Sequence, residues 1–77
     1  MAKFLVSHPT CFKEESLKRA QKSPKDEFGV THDNMFYNEK ENKLFCLMEA
    51  PDKNSLEKHY AKAGLTYDWI VEVKTTK

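Results

Sequence analysis

Three histidines and two cysteines stand in a chain of 77 residues, and four of these with Asp68 are its candidate metal ligands. His8 and Cys11 are spaced as HxxC in "HPTC", His32 lies in "VTHDN", His59 in "LEKHYAKAGL" and Asp68 in "YDWI". Imidazoles, a thiolate and a carboxylate suit nickel, copper(II) or zinc, because imidazole serves all three and a lone thiolate does not choose among them. Cys46 differs: it sits mid-run in "KLFCLMEA" with apolar neighbours on both sides, where a free cysteine behaves as a small hydrophobe. There is no CxxC, and both cysteines are expected as reduced thiols. Catalysis has little to stand on. The chain has no glycine-rich phosphate loop, no serine elbow and no close acid pair, so no residue is assigned as nucleophile or base.

The elements that must position these groups can be read from pattern. Ala2 to His8 reads as a strand centred on Phe4, Leu5 and Val6. Phe12 to Lys22 reads as a helix with glutamates early and basic residues late, in accord with the macrodipole. Its stripe is Phe12, Leu17 and Ala20. Val30 to Asn38 alternates as a strand, and "NEKEN" is a polar hairpin connection. Lys43 to Ala50 is apolar on both faces and so belongs in the middle of a sheet. Pro51 ends it. Asp52 is placed to cap a helix from Lys53 to Ala63, with Gly64 as its C-cap and Leu56, Tyr60 and Ala63 as its buried stripe. Asp68 to Val73 is a last strand.

The order β-α-β-β-α-β predicts one domain over residues 1–77: an α+β, ferredoxin-like sandwich with a four-stranded antiparallel sheet and two helices on one face. Right-handed crossovers put the first and third strands in the centre. The face without helices is then left bare, and an apolar face on so short a chain predicts a homodimer through the open sheet. By the same topology His8, Cys11, His59 and Asp68 converge at one end of the sheet, with the imidazoles of His8 and His59 sharing a small volume. His32, at the start of the second strand, is expected at the other end, joining a site only across a dimer interface.

Bulk properties narrow the partners. Thirteen basic against twelve acidic residues give a net charge of +1, which offers no electrostatic footprint for nucleic acid or an anionic membrane. No apolar run approaches the ~20 residues of a membrane span. "MAKFLVSHPT" lacks a signal-peptide core and cleavage site, so a cytoplasmic protein is expected.

From Gly29 to Val73 the chain resembles a family of small ferredoxin-like proteins, one bacterial representative of which is described as nickel-binding and nickel-responsive. The resemblance is carried by Gly29-Val30, Asn38, Phe45-Cys46-Leu47, Glu49-Ala50-Pro51, His59, Gly64-Leu65, Asp68, and Ile70 with Glu72-Val73. His8 also stands where many members end their first strand in histidine. The chain departs from the family at Val6 and Ala63, where members often carry an acid and a second histidine, and at His32, Asp33 and Asn34 in the second strand. The resemblance implies a dimeric, divalent transition-metal binder, nickel foremost, that buffers or senses rather than catalyses. The alternative is a small-molecule-binding or enzymatic dimer whose inter-sheet cavity is lined by Phe36, Tyr37, Met48 and Trp69.

Overall fold

A computed structural model describes residues 2–76. The elements run β1 (Ala2–His8), α1 (Glu14–Gln21), β2 (Thr31–Asn38), β3 (Lys43–Ala50), α2 (Lys53–Ala63) and β4 (Trp69–Val73). The strands form one antiparallel sheet in the order β2-β3-β1-β4. This is the ferredoxin-like α+β arrangement, with β1 and β3 central as the crossover rule requires.

Strand alternation divides the side chains between two faces. Phe4, Val6 and His8 of β1 stand opposite Met48, Cys46 and Leu44 of β3 and are buried with them on the inner face. Leu17 of α1, Val30 just before β2, Ala50 of β3, Leu56 and Tyr60 of α2, and Ile70 of β4 complete that core. Cys46 is a core residue, and both cysteines are free.

The second helix, α2, is held at both ends. The Asp52 carboxylate accepts the Ser55 N–H at 2.7 Å, supplying one of the bonds that a helix start leaves unmade. Gly64 ends α2 at φ 69°, and the Leu65 N–H reaches back to the Tyr60 carbonyl at 3.1 Å. A Cβ on Gly64 would meet nothing within 4 Å, so the backbone conformation is what favours glycine there. The expected stripe of α2 loses its last member, because Ala63 is exposed in the final turn. α1 is shorter than its sequence pattern. Lys13 is extended at ψ 147°, which leaves Phe12 in the preceding loop, 39% exposed, and Leu17 as the buried residue of the helix.

Asp26 organises the connection from α1 to β2. Its Oδ1 accepts the N–H groups of Phe28 and Val30, each at 3.0 Å. Gly29, at φ 79°, turns the chain where a Cβ would lie 3.1 Å from the Pro51 ring. Beyond it a β-bulge interrupts the β2–β3 register between His32 and Asn34. The Gln21 amide at the end of α1 donates to the carbonyls of His32 and Asp33 at 3.0 and 3.1 Å and holds that irregularity in place.

Among the described residues, no helix is long and apolar enough to cross a membrane.

Candidate functional site

The imidazoles are brought together in a different grouping from the one the strand directions suggest. His59, in the middle of α2, turns towards the α1–β2 connection, where its Nδ1 lies 2.5 Å from Asp26 Oδ2. His32, at the start of β2, presents its ring to the same place, 6.1 Å from the His59 ring and inclined at 71°. It therefore meets His59 within one subunit, and no dimer interface is needed to join them. His8 is buried near by, on the far side of Tyr60: the Tyr60 ring lies 5.4 Å from His8 and 5.2 Å from His59. The expected sharing of one volume by His8 and His59 is not what the structure shows.

The other two residues lie apart. The Cys11 N–H donates to Asn42 Oδ1 at 2.7 Å, beside the β2–β3 hairpin, and its thiol donates to the Phe12 carbonyl at 3.3 Å. Burial and the charge of Glu39 push that thiol up from its ordinary pKa, which works against the thiolate a metal needs. The Asp68 carboxylate accepts from the Ser7 hydroxyl at 3.3 Å. Ser7 stands between Phe45 and Trp69 in register, on the face opposite His8, so the sheet separates Asp68 from the imidazoles. Among the described residues, no group of three or more histidine, cysteine or acidic side chains is arranged to hold a metal ion. What the fold supplies is a pair of imidazoles and a carboxylate behind one of them.

Asp26 is the residue that pattern reading misses. Burial alone would raise its carboxyl pKa, but the bonds from His59, Val30 and Phe28 outweigh it and hold the group below its ordinary range. A carboxylate can only accept, so His59 Nδ1 carries the proton. In the neutral ring, Nε2 then keeps its lone pair. A carboxylate fixing the tautomer and orientation of a histidine is the usual outer support of a metal-ligating imidazole. The one available sign in the sequence is the acidic residue three places before a glycine in "DEFG", which suits a turn and says nothing of a partner 33 positions away.

The electrostatics suit a donor pair. Burial pushes the His32 pKa down, with the neighbouring His59 and His8 assisting and Asp26 opposing. A neutral imidazole is the form that binds metal. His8 is committed differently: its Nδ1 lies 3.0 Å from the Thr66 carbonyl, to which it donates. Tyr60 is 2% exposed and its hydroxyl has no hydrogen-bond partner among the described residues. Burial pushes its phenol far up, so the group remains protonated.

The four residues expected to line an inter-sheet cavity do not share a face. Met48 is fully buried on the inner face. Phe36 pairs with Phe45 and Trp69 contacts Phe45, both on the outer face, whereas Tyr37 stands opposite Leu44 on the inner one and donates to Glu14 of α1.

Residues 7–73 match a family model described as nickel responsive protein SCO4226-like. No curated protein and no solved structure matches the chain.

Proposed function

The chain belongs to this nickel-responsive protein family, and from that membership and the Asp26–His59–His32 arrangement we propose that it binds a divalent transition metal, nickel foremost, without catalysing a reaction. His32 and His59 are the ligands of this reading, Asp26 orients His59, and water or a further side chain fills the remaining positions. The observation that carries it is the carboxylate–imidazole contact of 2.5 Å facing a second imidazole. Two histidines and oxygen donors fit nickel or copper(II) as well as zinc, and the family's description as nickel responsive favours nickel. A site with few protein ligands releases its metal readily, as buffering or sensing demands.

The same reading makes the protein a homodimer through the open sheet face. Leu5, Leu47 and Val71 form one apolar row across that face, and Phe36, Phe45 and Trp69 another, with Ser7 between the last two. Phe36, Trp69 and Val71 are each 41–49% exposed. Lys3, paired with Asp33 and 3.7 Å from Glu49, closes the end of the patch with charge. An apolar area with a charged margin suits a self-complementary contact about a two-fold axis.

Titration calorimetry of chelator-stripped protein with nickel, copper and zinc tests the metal reading. Saturable nickel binding tighter than about 1 mM, lost in the His32→Asn, His59→Asn double variant, is expected. Equal binding by wild type and double variant would remove both ligands from the proposal.

A further inference from the structure

His32 and Asp33 are consecutive residues that serve opposite faces of the sheet. His32 stands opposite Met48 in register and so on the inner face, where its ring lies 6.1 Å from that of His59. Asn34, two places on, stands opposite Leu47 on the outer face. In a regular strand, residues two apart share a face. The bulge breaks that rule, because Asp33 is an extra residue without a counterpart in the β2–β3 register. Asp33 pairs instead with Lys3 of β1, two strands away, and Lys3 also lies 3.7 Å from Glu49. Together with Asn34, Phe36 and Leu47, Lys3 and Asp33 line a groove on the open face. From α1, Gln21 holds the carbonyls of His32 and Asp33. The His32 ring makes no hydrogen bond among the described residues, so the inner side of the bulge is the side left untied.

We propose that this bulge couples metal binding to self-association. With His32 engaged as a ligand the bulge is fixed, Asp33 is held on Lys3, and the open face meets a second copy of the chain more tightly. The inference rests on the metal binding and the dimer proposed above, and goes beyond them in joining two sites on opposite faces. The connection is short: one peptide bond separates the residue that faces the metal from the residue that closes the margin of the apolar patch. The sign follows from ordering. A segment fixed before association need not be ordered during it, and the cost avoided appears as affinity. The metal-bound chain is therefore the stronger dimer. By linkage, the dimer binds nickel more tightly than the monomer does, by the same factor.

Sedimentation velocity over a series of protein concentrations, in chelator and then in saturating nickel, measures the coupling. Nickel is expected to lower the dimer dissociation constant about fivefold or more. Titration calorimetry above and below that constant is expected to show the same ratio in nickel affinity. Asp33 touches neither imidazole, so the Asp33→Asn monomer is expected to bind nickel as the wild-type monomer does. Its dimer dissociation constant, however, moves less than about twofold with nickel, below the range of a real coupling. Asp33→Glu restores part of the shift. Gln21→Ala acts in the opposite sense: it loosens the metal-free bulge, weakens the metal-free dimer more than the loaded one, and widens the nickel effect. Calorimetry sees uptake of the metal separately from the change in mass, so the two failures are distinguishable. No nickel uptake at all removes the metal reading and this coupling with it. Nickel uptake with an unchanged dissociation constant, or a chain monomeric in both conditions, overturns the coupling alone. So does Asp33→Asn with the full shift, or Gln21→Ala with a narrowed one.

Discussion

The two faces of the sheet each hold side chains out of their ordinary place, polar groups within the core on one and large apolar groups in the open on the other. The face covered by helices holds polar groups among apolar ones: buried His8 on the Thr66 carbonyl, half-buried His59 on Asp26, and a Tyr60 hydroxyl with no partner among the described residues. The uncovered face leaves Phe36, Trp69 and Val71 to solvent. Buried polar groups cost stability unless they are paired, and exposed apolar patches invite association. Each face therefore carries a feature that stability of the isolated fold does not require. The inner one carries the imidazole pair proposed to take the metal, and the outer one the apolar patch proposed to meet a second copy of the chain.

Substitutions on the two faces are expected to act on different properties. Leu56 is fully buried, and Leu56→Ala is expected to destabilise the fold by about 2–5 kcal/mol in urea denaturation. Val71→Asp, on the outer face, is expected instead to shift the sedimentation mass from dimer to monomer and leave the far-ultraviolet dichroism unchanged. If Val71→Asp unfolds the chain and Leu56→Ala is harmless, the assignment of the faces is wrong. Next in size is Asp26→Asn, which removes the carboxylate behind His59. Nickel affinity by calorimetry is expected to fall about 10–100-fold, the usual effect of losing an outer-shell partner. Cys11→Ser and Asp68→Asn, whose side chains lie away from the imidazole pair, are expected to leave that affinity within about twofold, well below the cost of a lost ligand. A large loss in either would restore the grouping at the end of the sheet.

The smallest effect is on pH dependence. His32 is held below its ordinary pKa by burial, so as pH falls past about 6.5 the unfolded chain takes up a proton that the folded one resists. The stability contributed by this residue is complete above that value and declines as pH falls through the folded pKa. Urea midpoints at pH 7.5 and 5.5 are expected to drop less in His32→Asn than in wild type. Nickel affinity is expected to weaken over the same descent, because protons compete for the imidazoles.

How far the sequence reveals all this depends on how local each cause is. α2 is legible to the residue, since Asp52 and Gly64 act on their own neighbours and the pattern from Lys53 to Ala63 needs no distant partner. β3 is legible because an apolar run on both faces belongs only in the middle of a sheet. The site is not local. Reasoning from strand directions sorts residues to the ends of the sheet, but His59 lies in the middle of a helix about 16 Å long and belongs to neither end. His32 is placed by a bulge that Gln21 clamps from another element, and the partner of His59 comes from a loop earlier in the chain. Cys46 was readable from its neighbours alone. His32 and Asp26 were not.

His32 and His59 are the two imidazoles proposed to take the metal. Anomalous diffraction from crystals of the nickel-loaded protein, recorded on both sides of the nickel edge, tests this most directly. A single strong peak per subunit between those rings, with Asp26 still bonded to His59, is the predicted result. A peak at Cys11 or beside Asp68 and Ser7, with nothing between the two rings, would contradict it.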